Sequence, residues 1–592
     1  MKTGGIPVVT RSRAACLSNG VRIVLLAFPL MLFLTMAWHY RWIVDDGYIF
    51  LRVVNMLTSG HGPVFNVGER VEAFSSPLWL ALLTLTDITV PIRLEWIAVG
   101  LGILLSTAGL ALAMAGSARL IRIYQPQAWL LPFGVLVPVC IFAVWRFASS
   151  GMETGLTAAW LGACLFVLAR WAHQQQLMPA HALVLIGLGW LVRPEMALFS
   201  VLFVTAVLCL QWRLQGWQGR LGVLIAAGAL PVAYQVFRMG YYGAVVATPA
   251  IAKDASQMHW HTGWAYLLDF TSPYWLWPAF LILLLGGYLP LVLGLWRHQA
   301  TRALVVTGAF VAGGLCHALY IIGVGGDWLH ARLLLPALYA LVFPVALTAF
   351  TRSHAFATAL IPWAFACALM LRPEPYHTGP RMTAPFALPL HRYVLIEERG
   401  WGRGGRHQRR LRENNLLSVD IGLGLRFDAI TIEQPGPYLN PPAISARALG
   451  LSSYAMGPEW QVIDVFGLAH PITARFTVTP SLTPLPRKTG HKKPLPTVWL
   501  AALTTAPGSA VNPLEFPGIY NPLIPDTHGE EFQQQLEWAR EVLACGAVAE
   551  LMQAVTGPLN GRRFAANFTG AWARSRLTIP PDPQQAWYKF CG

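Results

Sequence analysis

Two adjacent aspartates, Asp45 and Asp46, lie a few residues beyond the first long apolar run, in "RWIVDDGYIFLRVV". Ionisable side chains at membrane depth are costly, and by default they mark a site or a pathway. Adjacent carboxylates can divide labour, one accepting a proton while the other orients a hydroxyl or a cation. The plainer role is to cap the helix "GYIFLRVVNML", for which one Asp would suffice. The stretch "SGHGPVFNVGERVE" then supplies turn chemistry that folds a long loop back on itself.

Other charged residues could join them. Lys253, in "AIAKDAS", is the only lysine in residues 3–487. An isolated ammonium suits an anionic group such as a lipid phosphate, or an ion pair with Asp254. Asp327, His330 and Arg332 sit in the Gly-rich stretch "GVGGDWLHARLLLP". There the arginine either offers its fork to phosphate oxygens or snorkels at an interface. Glu153 in "SSGMETG", and Arg193 with Glu195 in "VRPE", are candidates of the same kind or simple charged helix ends. His317 reads as a satisfied core residue. No Ser-His-Asp arrangement, Walker loop, dinucleotide fingerprint or zinc spacing appears.

These residues need elements to position them. The chain has 592 residues, 55% of them hydrophobic and only 12% charged, with a mean hydropathy of +0.48. Soluble domains carry roughly 25% charged residues, so most of this chain is solvated by lipid. Residues 1–371 hold 11 Asp and Glu and residues 372–592 hold 17. The first part reads as a membrane domain and the second as an aqueous one.

Apolar runs at 21–38, 96–116, 128–145, 153–171, 181–193, 195–212, 220–237, 275–296, 303–322, 331–350 and 355–371 give about 11 expected spans. The first follows Arg11 and Arg13 without a cleavage signature and reads as an uncleaved anchor with a cytoplasmic amino end. Threaded from there, all acidic residues of the membrane part fall on or near one side. The opposite loops hold Arg119, Arg122, Arg213, Arg220, Arg297, Arg302 and Arg352 and no acid. Basic residues split almost evenly between the sides, so charge concentration on one face is a better signal than positive-inside bias. That face and the aqueous part are expected outside the cytoplasm.

In the aqueous part, residues 416–432 and 459–468 read as strands, and 530–555 as one amphipathic helix. Cys545 and Cys591 are its only cysteines, and they would pair in an oxidising compartment. The net charge of +15 does not suggest nucleic-acid binding, because no basic stripe with interleaved aromatics lies outside the spans. The run "RGWGRGGRHQRRLRENN" reads as a solvated basic linker. No internal repeat supports an inverted-repeat transporter.

The sequence resembles the terminal arabinofuranosyltransferases of the actinobacterial cell wall, within the GT-C class of membrane glycosyltransferases. The residues that carry the likeness are "RWIVDDGYIFLR", "GPVFNVGERVEA", "LPVAYQVFRMGYYG", "AIAKDA", "GGDWLHARLLL", "VIDVFGLAHP" and the Cys545/Cys591 pair. The resemblance implies a polytopic GT-C catalytic domain over 1–371 and an extracytoplasmic α+β domain over 372–592 that helps hold glycan. It implies transfer of D-arabinofuranose from decaprenyl-phosphoryl arabinose to the non-reducing ends of arabinan, in arabinogalactan and lipoarabinomannan, through a β-1,2 linkage. Asp45 or Asp46 would be the essential carboxylate. Glu153, Arg238, Tyr241, Lys253, Asp327, His330 and Arg332 are the candidates to line the substrate site, with Lys253, His330 and Arg332 assigned to the donor phosphate from their charge alone, and a divalent cation beside Asp45 and Asp46 occurs in some relatives. Donor and product are both β-linked in that family, so the reaction retains configuration, through a double displacement or a same-face route. The alternatives are a GT-C enzyme for another sugar or acceptor, such as protein, and a transporter of lipid-linked sugars.

Overall fold

The computed structural model describes residues 9–174, 176–253, 258–349, 358–370, 443–446, 449–478, 493, 495–505 and 529–592. The expected strand at 416–432 and the basic linker at 399–415 lie outside the described residues, as does Asp254.

The main helices are α1 (Val9–His39), α2 (Asp45–Thr58), α3 (Pro77–Thr89), α4 (Leu94–Arg122), α5 (Thr154–Gln174) and α6 (Ala197–Gln211). They continue with α7 (Trp217–Tyr242), α8 (Trp260–Thr271), α9 (Leu276–Arg297), which contains a π turn, and α10 (Thr301–Gly323). Among the described residues, 7 helices are long and apolar enough to cross a membrane: α1, α4, α5, α6, α7, α9 and α10. Shorter apolar helices lie at Pro77–Thr89, Ala180–Val192, Arg332–Val345 and Leu360–Leu369. The chain is a polytopic α-helical membrane protein.

One expected span takes another form, and one apolar helix was not expected. The run at 128–145 is not one helix; it divides into residues 130–131, paired antiparallel with 348–349, and the short helices Leu136–Cys140 and Phe142–Ala148. Pro132, which cannot donate and disfavours a helical residue before it, stands between the paired residues and the first short helix, and extended Ile141 (φ −86°, ψ 122°) separates the two helices. The apolar helix α3 was not among the expected spans. Its 13 residues are too few to cross a bilayer core of about 30 Å untilted.

The centre of the membrane part is the parallel pair α4 and α5. Gly102 and Gly109 face Gly155 and Gly162, and a side chain at either of the last two would collide with the facing backbone oxygen. Small residues let the backbones touch, which is how helices associate where lipid supplies no hydrophobic drive. Since α4 and α5 run the same way, the interrupted segment between them carries the chain back. It returns the turn Ser149–Glu153 to the end of the bundle where α2 begins.

A second core forms around the fully buried Trp499, with Ile463, Ile472, Leu536, Val548 and Ile579. Residues 443–446 pair in parallel with 461–464, so the strand expected over 459–468 is shorter, ending at Asp464. The expected helix 530–555 is two, Glu530–Leu543 and Gly546–Thr556. Between them Cys545 is extended (φ −109°, ψ 145°) and disulfide-bonded to Cys591. Val71, from the loop after α2, belongs to this core, while Leu449, Val462 and Ala469 belong to the membrane-part core. The loop makes the join. Asn66 exchanges hydrogen bonds with both backbone groups of Val462, and the buried Arg52 donates to the carbonyls of Phe65, Ser453, Gly457 and Trp460.

Asp464 and His470, from "VIDVFGLAHP", are both buried here. Burial pushes the Asp464 carboxyl up to about 6, against the pull of the Phe466 and Ala469 amides. Burial also pushes His470 down to about 4. Folded Asp464 keeps a proton that the unfolded chain has released, so its contribution to stability falls as pH rises toward 6. Folded His470 refuses a proton that the unfolded chain binds, so its contribution falls as pH drops toward 4. The two slopes oppose each other. We expect Asp464→Asn to make stability rise with pH between 4 and 6, and His470→Asn to make it fall, each by roughly 2–3 kcal/mol. Denaturation midpoints across that range check both signs.

Candidate active site

α2 starts at Asp45, with extended Val44 at the N-cap and no side-chain cap. Neither aspartate is therefore the cap; both stand in the first turn, where the helix dipole favours carboxylates. The turn is held from two sides. Val44 N donates to Ser150 O (3.0 Å) and Trp42 N to Ser149 Oγ (3.2 Å). On the other side Gly450 N donates to Asp45 Oδ2 (3.2 Å), and any side chain at Gly450 would strike the Asp45 backbone. Both carboxylates remain partly exposed.

Arg332 is the hub beneath them. Its Nη1 lies 3.1 Å from Asp46 Oδ2 and 3.1 Å from Asp327 Oδ2, and its Nη2 lies 3.8 Å from Glu153 Oε1. Glu153 also pairs with Arg193, whose Nε reaches Glu195. Lys253 Nζ stands 3.8 Å from Asp327 Oδ1 and is 26% exposed, against 8% for Arg332. Burial raises the Asp327 carboxyl, but Lys253, then Arg332 and the Trp328 amide, outweigh it and hold it below the usual carboxylate range. Asp46, Glu153, Lys253 and the Asp327–Arg332 stretch, far apart in sequence, are thus one cluster. Arg193 and Glu195 extend it and are not merely charged helix ends.

His330 sits beside this hub. Its Nδ1 is 2.7 Å from Asp269 Oδ2, and its buried Nε2 has no hydrogen-bond partner among the described residues. Ala331, between His330 and Arg332, is buried at φ 63°, a region costly for any residue with a Cβ. Asp269 was missing from the expected site; its one signal in the sequence is a lone acid within the apolar stretch "WAYLLDFT".

Other candidates lie elsewhere. Arg238 is fully engaged in a buried pair, Nε to Glu72 Oε2 at 2.6 Å and Nη2 to Oε1 at 3.0 Å, with Tyr234 Oη donating to Glu72 as well. Tyr241 stacks on Phe237, with ring centroids 5.0 Å apart. Neither touches the Arg332 cluster. His317 is buried, but neither ring nitrogen has a partner among the described residues, so it is core without being satisfied.

The donor set fits a divalent cation poorly. Arg332 already bridges Asp46 and Asp327, and Asp45 faces a backbone amide. Among the described residues no group of three or more His, Cys, Asp and Glu converges to hold a metal ion.

Residues 434–588 match the AftB family C-terminal domain. A terminal β-(1→2)-arabinofuranosyltransferase of Corynebacterium glutamicum is 39% identical over 338 residues, 52% of this chain and 48% of that protein. One of Mycobacterium tuberculosis is 39% identical over 336 residues, 52% of this chain and 53% of that protein. The chain thus spans about half the length of the curated relatives it matches. No solved structure matches. This polytopic membrane protein carries an AftB family C-terminal domain and is homologous over half its length to two proteins named as terminal β-(1→2)-arabinofuranosyltransferases.

Proposed function

We propose that the protein is a membrane glycosyltransferase that moves D-arabinofuranose from decaprenyl-phosphoryl arabinose to the non-reducing ends of arabinan, in arabinogalactan or lipoarabinomannan, forming a β-1,2 linkage. The observation that carries the reading is the partly exposed Asp45–Asp46 turn over a mixed cluster in which Arg332 and Lys253 pair with carboxylates at one end of the spans. A lipid-phosphate sugar needs its tail in the bilayer, its phosphate met by cations at the surface, and a carboxylate beside the sugar. The relatives' names supply the sugar.

Within this reading Asp46 is the reacting carboxylate, because it shares Arg332 with the Asp327–Lys253 pair. Asp45 orients the acceptor hydroxyl. Lys253, the more exposed and more loosely paired cation, takes the donor phosphate. Asp269 fixes the His330 ring so that Nε2 is turned from Asp269 and free to donate or accept. Retention of configuration proceeds by two displacements, a carboxylate attacking the anomeric carbon as the polyprenyl phosphate leaves and the acceptor oxygen then displacing that carboxylate as its proton passes to a neighbouring carboxylate, or by a same-face route. The division into a catalytic part over 1–371 and a glycan-holding part over 372–592 belongs to this proposal. So does an extracytoplasmic site in the plasma membrane, which the acid-free, arginine-bearing opposite end supports.

Purified protein in nanodiscs, given radiolabelled donor and a short arabinofuranoside acceptor, should form labelled disaccharide ends. Lys253→Met should raise the donor KM by about tenfold, the loss of one charge-assisted contact of roughly 1.4 kcal/mol, with a smaller change in kcat. No product with donor still bound would move the assignment to another acceptor. Donor translocated without transfer would move it to a transporter.

A further inference from the structure

Helix α11 (Gly561–Arg576) lies outside the membrane-spanning set yet is fastened to the end of one span. Asn567 Nδ2 donates to Gly240 O at 3.1 Å, Arg574 Nε to Gly243 O at 3.0 Å, and Val245 N to Ser575 Oγ at 2.9 Å. Phe564 covers Gly240. These contacts place α11 at the end of α7, the span with the least of its surface buried in protein.

The face of α11 turned away from α7 is unusual for a helix of an aqueous module. Ala565, Ala566, Phe568, Trp572 and Ala573 are exposed on it, with Trp572 62% exposed, and Arg562 and Arg576 stand at its two ends. There is no acidic residue in the helix. Its one hydroxyl on that face, Thr569, is spent on the helix's own carbonyls of Ala565 and Ala566. A sugar-binding surface needs hydrogen-bonding groups beside its aromatic platform, and this face offers none beyond its flanking arginines.

The neighbouring surface is lipid-facing. α7 exposes Leu224, Ile225, Leu230, Val232 and Val236 along its length. Exposed tryptophans mark both ends of the bundle, Trp212, Trp217 and Trp296 at one end and Trp260, Trp264 and Trp275 at the end near the candidate site. Such belts sit at headgroup level. Trp572 continues the second belt, because α11 is fixed to the same end of α7.

We propose that α11 lies on the bilayer, with Phe568 and Trp572 among the acyl-chain boundary and Arg562 and Arg576 against lipid phosphates. This is the arrangement of an interfacial amphipathic helix. It anchors the second core to the membrane independently of the loop that joins it to α2. The inference needs only the membrane-spanning character of the chain and stands apart from the transferase reading.

The test uses the full chain in nanodiscs of phosphatidylglycerol and phosphatidylethanolamine. Single nitroxide labels would be placed through Phe568→Cys or Trp572→Cys, with Cys16, Cys209 and Cys316 changed to Ser. Val232→Cys gives the lipid reference, and Glu537→Cys, on an exposed helix face of the second core, the water reference. Collision with a water-soluble nickel chelate should be about tenfold lower at 568 and 572 than at 537, with oxygen collision raised toward that at 232. Equal chelate access at 572 and 537 would overturn the proposal. Shielding that appears only when an arabinan oligosaccharide is added would overturn it too, in favour of a carbohydrate face. Matching thermal midpoints for all variants keep a folding defect from imitating either result.

Discussion

Protein carrying Asp46→Asn should transfer arabinofuranose at about one-hundredth to one-ten-thousandth of the wild-type rate, the usual worth of a positioned proton-transfer group, and more if it is the nucleophile. The amide oxygen still accepts from Arg332 Nη1, so the hub stays assembled and the thermal midpoint should move little. Asp45→Asn keeps its acceptor for Gly450 N and should lose less. Rates and midpoints measured side by side separate chemistry from folding. A large loss in Asp45→Asn with Asp46→Asn near wild type would reverse the two roles. Equal losses would make the pair a single unit.

Arg238→Leu should destabilise the protein by about 3–5 kcal/mol, because it leaves Glu72 buried without its partner. Replacing both partners, as Arg238→Leu with Glu72→Leu, should restore most of that stability, since apolar side chains of similar volume usually match a buried pair. Arg238 was expected among the substrate-binding residues, and its geometry makes it a brace between the loop after α2 and the end of α7. The double variant decides between them. Recovered stability with a near-normal donor KM establishes the brace. Recovered stability with a donor KM raised by tenfold or more, about 1.4 kcal/mol, would return Arg238 to the site.

Much of the cluster was legible because charge is rare in this sequence. Where a membrane part holds 11 acidic residues in 371, each one is informative, and Asp46, Glu153 and Asp327 do meet. What the sequence does not carry is partnership. Nothing near Arg238 in the chain reveals Glu72, 166 residues earlier, as the group that consumes it. Asp269 and His330 are likewise 61 residues apart and become a pair only through the packing of α8 beneath the Gly-rich turn. Apolar length identified most of the spans, but it could not show that the run at 128–145 is broken, because its prolines sit among residues as apolar as any helix needs. Lys253 was readable as a lone cation, but its contact with Asp327, from a distant part of the chain, is a fact of the fold alone.

The Arg332 hub also has an order of arrival. Its charges come from positions 46, 153, 193, 195, 253, 327 and 332, and a ribosome delivers them in that sequence. When α6 has entered the bilayer, three carboxylates are present with only Arg193 to answer them. Asp327 adds a fourth, five residues before Arg332 closes the set. The membrane part is therefore electrostatically unfinished until almost its last span has emerged. A chain that stops short of residue 332 strands Asp46 and Asp327 without the guanidinium that joins them. Chains truncated just before residue 332 should therefore be degraded faster than chains truncated after residue 345, an outcome pulse-chase labelling checks.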